Sequence, residues 1–124
     1  MARIFCLALA ALFVGQSPWA NADEALSQAT IADVRCIIVG SVMGSQEANA
    51  QSGAVLALYF LGRIDGRETP GFDLSKAMIA QMSLMSATDF SAEGKRCGKE
   101  LEGRGLYLAE VGHKLTQLSS GQQQ

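Results

Sequence analysis

The residues able to do chemistry are few and scattered. His113 is the single histidine. It lies among Glu110, Gly112 and Lys114, with no serine or cysteine placed to pair with it, so it reads as a surface side chain rather than a general base. Gly40-Ser41-Val42-Met43-Gly44 has the residue types of a nucleophile elbow without the required Gly-x-Ser-x-Gly order. Asp65, Glu68 and Asp73 cluster around Pro70 but lack calcium-loop spacing, which leaves helix caps and solvated charges. Arg63-Ile64-Asp65-Gly66-Arg67 reads as an exposed helix end, with a polar contact point as the alternative. Glu93, Lys95, Arg96, Lys99, Glu100 and Glu102 interleave as a solvated helix face with i,i+4 pairs. The expectation is a protein without catalytic, cofactor or metal sites, and not an enzyme. One feature suits binding. Met78, Met82 and Met85 form a stripe at helical spacing, ordinarily core, whose sharper reading is an adaptable protein-binding surface.

The N-terminus supplies the context. Met1-Ala2-Arg3 is a short positive region, Ile4 to Val14 is an uncharged apolar run, and Ala20-Asn21-Ala22 offers the small residues a signal peptidase accepts. Eleven apolar residues make about 16 Å of helix against a hydrocarbon core of roughly 30 Å, too short for an anchor. Residues 1–22 are therefore expected to be a signal peptide, cleaved near Ala22. The destination is then the bacterial periplasm or the exterior, with no membrane span in the mature chain. Losing Arg3 moves the formal charge from −2 to −3. That balance lacks the basic face nucleic acid needs. Loss of Cys6 leaves Cys36 and Cys97, and one His with two Cys cannot close a four-ligand zinc site. In an oxidising compartment a sole pair is expected to be a disulfide. Its 61-residue separation corresponds to roughly 4.3 kcal/mol of chain-entropy stabilisation.

The elements that position these residues are helical throughout. Thr30-Ile31-Ala32-Asp33 fits a capping box opening a first helix, with Ile31, Val34, Ile38 and Val42 at helical spacing. Gly44-Ser45 ends it. A second helix is expected from Gln46 to about Ile64. Its half Ala54 to Leu61 is apolar on all sides and thus the expected centre of the core. Asp73 caps a third helix, and Thr88 is the expected cap of a fourth, running from Asp89 to about Leu118. The reading is an all-α single domain over 23–118, four helices stapled by one disulfide, with a flexible tail over 119–124. In the fourth helix Gly98, Gly105 and Gly112 recur every seven residues, as do Leu101, Leu108 and Leu115. These six form an expected helix-packing seam, preferentially against the second helix, with a homodimer as the alternative.

An export signal, a Cys in the first mature helix, the helix end Tyr59-Phe60-Leu61-Gly62-Arg63-Ile64-Asp65-Gly66, and Arg96-Cys97-Gly98-Lys99-Glu100-Leu101 opening the last helix resemble small bacterial periplasmic helical proteins. The HdeA-like acid-stress chaperone group is the named comparison, and small secreted immunity-type proteins share the layout. The chain differs in its wider Cys separation, its glycine heptad and a mature part without Trp. The resemblance implies a non-enzymatic protein that binds other proteins, as a chaperone-like holder or as an inhibitor with one cognate partner. With one His, an acid trigger would have to come from carboxylates.

Overall fold

A computed structural model describes residues 25–121; the expected signal peptide lies outside them. It contains four helices, α1 (Gln28–Gly44), α2 (Ala50–Asp65), α3 (Leu74–Leu84) and α4 (Ala87–Gly121), with a 3-10 turn over Glu47–Asn49. No helix among the described residues is long and apolar enough to cross a membrane. The fold is the all-α, disulfide-stapled single domain that the periodicity predicts.

Its centre is α1 rather than α2. Val34, Cys36, Ile37, Ile38, Val39 and Gly40 are all buried because α2, α3 and α4 each lie against this helix. By contrast α2 buries one stripe, Gly53, Leu56, Phe60 and Ile64, and leaves Val55 and Leu58 exposed. The expectation that α2 would form the core's centre is therefore overturned. A run apolar on all sides marks burial only where neighbours surround it, and α2 has neighbours on one side.

Caps explain the boundaries. Ser27 opens α1, its Oγ accepting from the Thr30 amide at 3.1 Å, one turn earlier than the expected Thr30 start. Thr30 and Asp33 are thereby interior residues and free for long-range partners. At α3 the expected cap holds, with Asp73 Oδ1 accepting from the Lys76 amide at 2.9 Å. At α4 the cap is Ser86 rather than Thr88. Ser86 Oγ accepts from the Asp89 amide at 3.2 Å while Asp89 Oδ2 accepts from the Ser86 amide at 2.9 Å, a reciprocal capping box. These bonds from Ser86 hold the Asp89 carboxyl below its usual range.

Two glycines set the α1–α2 crossing. A Cβ on Gly40 would stand 2.8 Å from Ala57 N and Gly53 O, and one on Gly53 would run into the backbone of Gly40 and Gly44. The two backbones touch, which only glycine permits. The segment resembling a nucleophile elbow is thus a packing device.

Cys36 on α1 and Cys97 on α4 stand at disulfide distance, Sγ–Sγ 2.01 Å and Cα–Cα 5.6 Å, both fully buried. Around them runs a belt of charge. Asp33, 1% exposed, accepts from Arg67 Nη2 at 2.7 Å and lies 3.3 Å from Arg63 Nη2. Arg63 also pairs with Glu100 and stacks over Phe60 at 5.3 Å. Arg96 stands 3.7 Å from Glu100 and 2.7 Å from Glu93, which faces Arg35 at 3.6 Å; Arg35 Nε donates to Gln81 at 3.0 Å. The belt joins all four helices. Glu93, Arg96 and Glu100, read as a solvated face, instead lie half-buried where α4 meets α1 and α2. The helix end Arg63–Arg67 is likewise engaged, by Asp33 in the domain's most buried helix.

Candidate protein-binding groove

Between α1 and α3 the surface opens into a groove of about 460 Å³ lined by Ile38, Ser41, Val42, Met78, Ile79, Met82 and Ser83. Its walls come from two i,i+4 pairs, Ile38 with Val42 on α1 and Met78 with Met82 on α3. α3 turns Ala77 and Gln81 into the protein, and the bond from Arg35 to Gln81 holds the helix beside α1. The neighbouring face, carrying Met78, Ile79 and Met82, is left open. Ile38 forms the buried floor, while Ile79 is 70% exposed and Met82 49% exposed.

No charged residue lines this groove. Ser83 Oγ already donates to the Ala80 carbonyl at 2.8 Å, which spends the donor of the most prominent polar group. The arrangement can bind apolar side chains and offers nothing for acid–base or nucleophilic chemistry. The two thioethers suit guests of varied shape, being unbranched, flexible and polarisable.

The methionine stripe is divided by the fold. Met78 and Met82 line the groove, whereas Met85, beyond the last turn of α3, packs half-buried against the core. The residues that sequence reasoning missed are Ile38, Val42 and Ile79. Their signal was the i,i+4 pair on α1 matching the pair on α3, which becomes meaningful only once the two helices are known to be neighbours.

The glycine–leucine seam does not close onto α2. Leu101 packs half-buried on the core, but Leu108 and Leu115 are exposed, and a Cβ on Gly98, Gly105 or Gly112 would meet nothing within 4 Å. The physical reason is the anchoring of α4. The disulfide and the charge belt hold it between Phe90 and Leu101, and beyond Leu101 it leaves the body. It runs unbroken through Gly103-Arg104-Gly105. It also continues past Leu118, so Ser119, Ser120 and Gly121 of the expected tail are helical, with the Ser119 and Ser120 hydroxyls donating to the Thr116 carbonyl.

His113 is exposed on the free part of α4. Cys36, Cys97 and Glu93 bring donor atoms within 4.8 Å of one another, but disulfide sulfurs have no thiolate to give a metal. Beneath the 66–73 turn is a smaller cleft of about 240 Å³ that includes Glu68, whose carboxylate accepts from Thr30 Oγ1. No protein-family model, curated protein or solved structure matches this chain, so any functional reading rests on the geometry just described.

Proposed function

We propose that the chain is an exported, non-enzymatic protein of the bacterial envelope that binds other proteins, holding apolar segments of partly unfolded clients in the α1–α3 groove. The observation that carries this reading is an open, uncharged groove walled by Met78, Ile79, Met82 and Val42. Its open, almost wholly apolar lining suits an apolar guest. The guest it fits is an apolar side-chain cluster from a segment without charge at its centre. Export is supported by the three-part N-terminal pattern and by a buried disulfide, which persists in oxidising compartments.

The test is suppression of aggregation for several unrelated client proteins by the mature chain, at neutral and at acidic pH. The proposal expects protection of several clients at substoichiometric or equimolar ratios. Protection of none, with one stoichiometric partner recovered by crosslinking in the periplasm, would replace it with a dedicated inhibitor or immunity protein.

A further inference from the structure

The free half of α4 poses a question separate from the groove. Residues 103–121 extend about 28 Å, and apart from Val111 every described side chain on them is exposed. Gly103, Gly105 and Gly112 each cost about 1 kcal/mol of helix propensity relative to alanine. Most helical stability in proteins comes from tertiary packing of an apolar face rather than from propensity, and this segment has glycines in place of good formers.

The face to be covered is defined by the part of α4 that is already packed. Phe90, Gly94, Cys97 and Leu101 follow one another at spacings of four and three, and all four lie against the body. Arg104 continues the same stripe, and Leu108, Val111, Leu115 and Leu118 carry it to the helix end at alternating spacings of three and four. One apolar seam thus runs the length of α4, covered in its first half and open in its second. Leu108, Leu115 and Leu118 are each 60% exposed or more, and Tyr107 flanks them at 59%.

We propose that a second copy of this chain covers the open half, the two helices lying antiparallel about a two-fold axis. Four arguments select this occupant. Each copy's body occupies the seam face up to Leu101, so a parallel partner would set both bodies at the same level on the same face and they would collide. Antiparallel pairing puts them at opposite ends, each abutting the tip of the other's helix. Matching Leu108 to Leu118 of the second copy, and Val111 to its Leu115, then brings Arg104 opposite the far helix's C-terminal carbonyls, where a cation is favoured. Charge does not oppose the pairing, since residues 103–121 carry only Arg104, Glu110 and Lys114 beside His113, and Glu110 already binds Lys114 at 2.7 Å. Finally, the exposed stripe and its flank amount to roughly 500–600 Å² per copy. The total of about 1,000–1,200 Å² reaches the threshold for a specific interface. Gly105 and Gly112 beside the stripe, with open space where a Cβ would stand, let the axes approach closely.

Sedimentation equilibrium of the mature exported chain, over dilutions from high micromolar to low nanomolar, reads the outcome. The expected result is a mass of two copies at the upper end. Leu115→Glu should return the protein to one copy, with association weakened about a hundredfold or more, and Leu84→Glu, at an exposed leucine on α3, should leave the dimer intact. Dipolar distances between labels at Gly103→Cys should lie near 30 Å for the antiparallel pair, against about 10 Å for a parallel one. A monomer at every concentration overturns the proposal. So does a dimer that survives Leu115→Glu, or a label distance near the shorter value.

Discussion

Gly53 and Gly103 show how much a residue's meaning depends on what stands beside it. Both are helical glycines, and helix propensity alone would replace either by alanine. At Gly53 the new Cβ meets the backbone of Gly40 and Gly44, which cannot yield as a side chain can. Gly53→Ala should therefore cost about 3 kcal/mol or more by forcing α1 and α2 apart, while Gly103→Ala, facing open space, should be neutral or gain up to about 1 kcal/mol. Urea denaturation of both variants checks the contrast. Asp33 makes a related point in charge. Its Oδ2 depends on Arg67, and its buried Oδ1 has an arginine at ion-pair distance but no hydrogen bond. Arg67→Ala should cost about 1–3 kcal/mol, because a buried carboxylate oxygen loses its donor. Replacing Asp33, Arg63 and Arg67 together by apolar residues should cost much less.

At the scale of the element, the capping box at the start of α4 links stability to pH. The bonds from Ser86 hold the Asp89 carboxyl below its ordinary range. A carboxyl depressed in the folded state contributes stability that is present above the unfolded value and lost as pH falls through the folded one. The first turn of α4 should accordingly fray as pH drops below about 4, and Ser86→Ala should begin that fraying at higher pH. Amide exchange at residues 87–91 reads both. The elements also show what was legible beforehand. Helix existence, the Asp73 cap and the break at Gly44-Ser45 are local matters, decided by residues three or four apart. The choice of Ser27 over Thr30, and of Ser86 over Thr88, was harder. Each site offers two cap-forming residues within three positions; at α1 the partners of Thr30 and Asp33, more than thirty residues away, decide between them, and at α4 the reciprocal bonds of Ser86 and Asp89 do. The groove was half legible. Met78 and Met82 were visible as a stripe, but Ile38 and Val42 join them only because α3 docks on α1. The heptad in α4 marked an apolar stripe but not its cover: Leu108 and Leu115 stay exposed rather than packing on α2, since a period states that a face is apolar and not what lies on it.

For the whole molecule, the disulfide and the charge belt perform one task, holding a long helix to a small body at a single station between Phe90 and Leu101. Reduction should remove roughly 4 kcal/mol of stability, leaving α4 held by the Arg35–Glu93 and Arg63–Glu100 pairs, the bond from Arg96 to the Ala32 carbonyl and the packing of Phe90 and Leu101. Calorimetry with and without reductant should show a fall in Tm of many degrees. The body so held presents its α1–α3 face open, and client binding is assigned to that face. The most direct measurement compares client protection by the wild-type chain, by Ile79→Glu in the groove, and by Leu58→Glu on the exposed side of α2. Both substitutions fall on side chains at least 65% exposed, so both variants should fold. Loss of protection in Ile79→Glu alone is the predicted result; equal protection by all three proteins would contradict the assignment of binding to this groove.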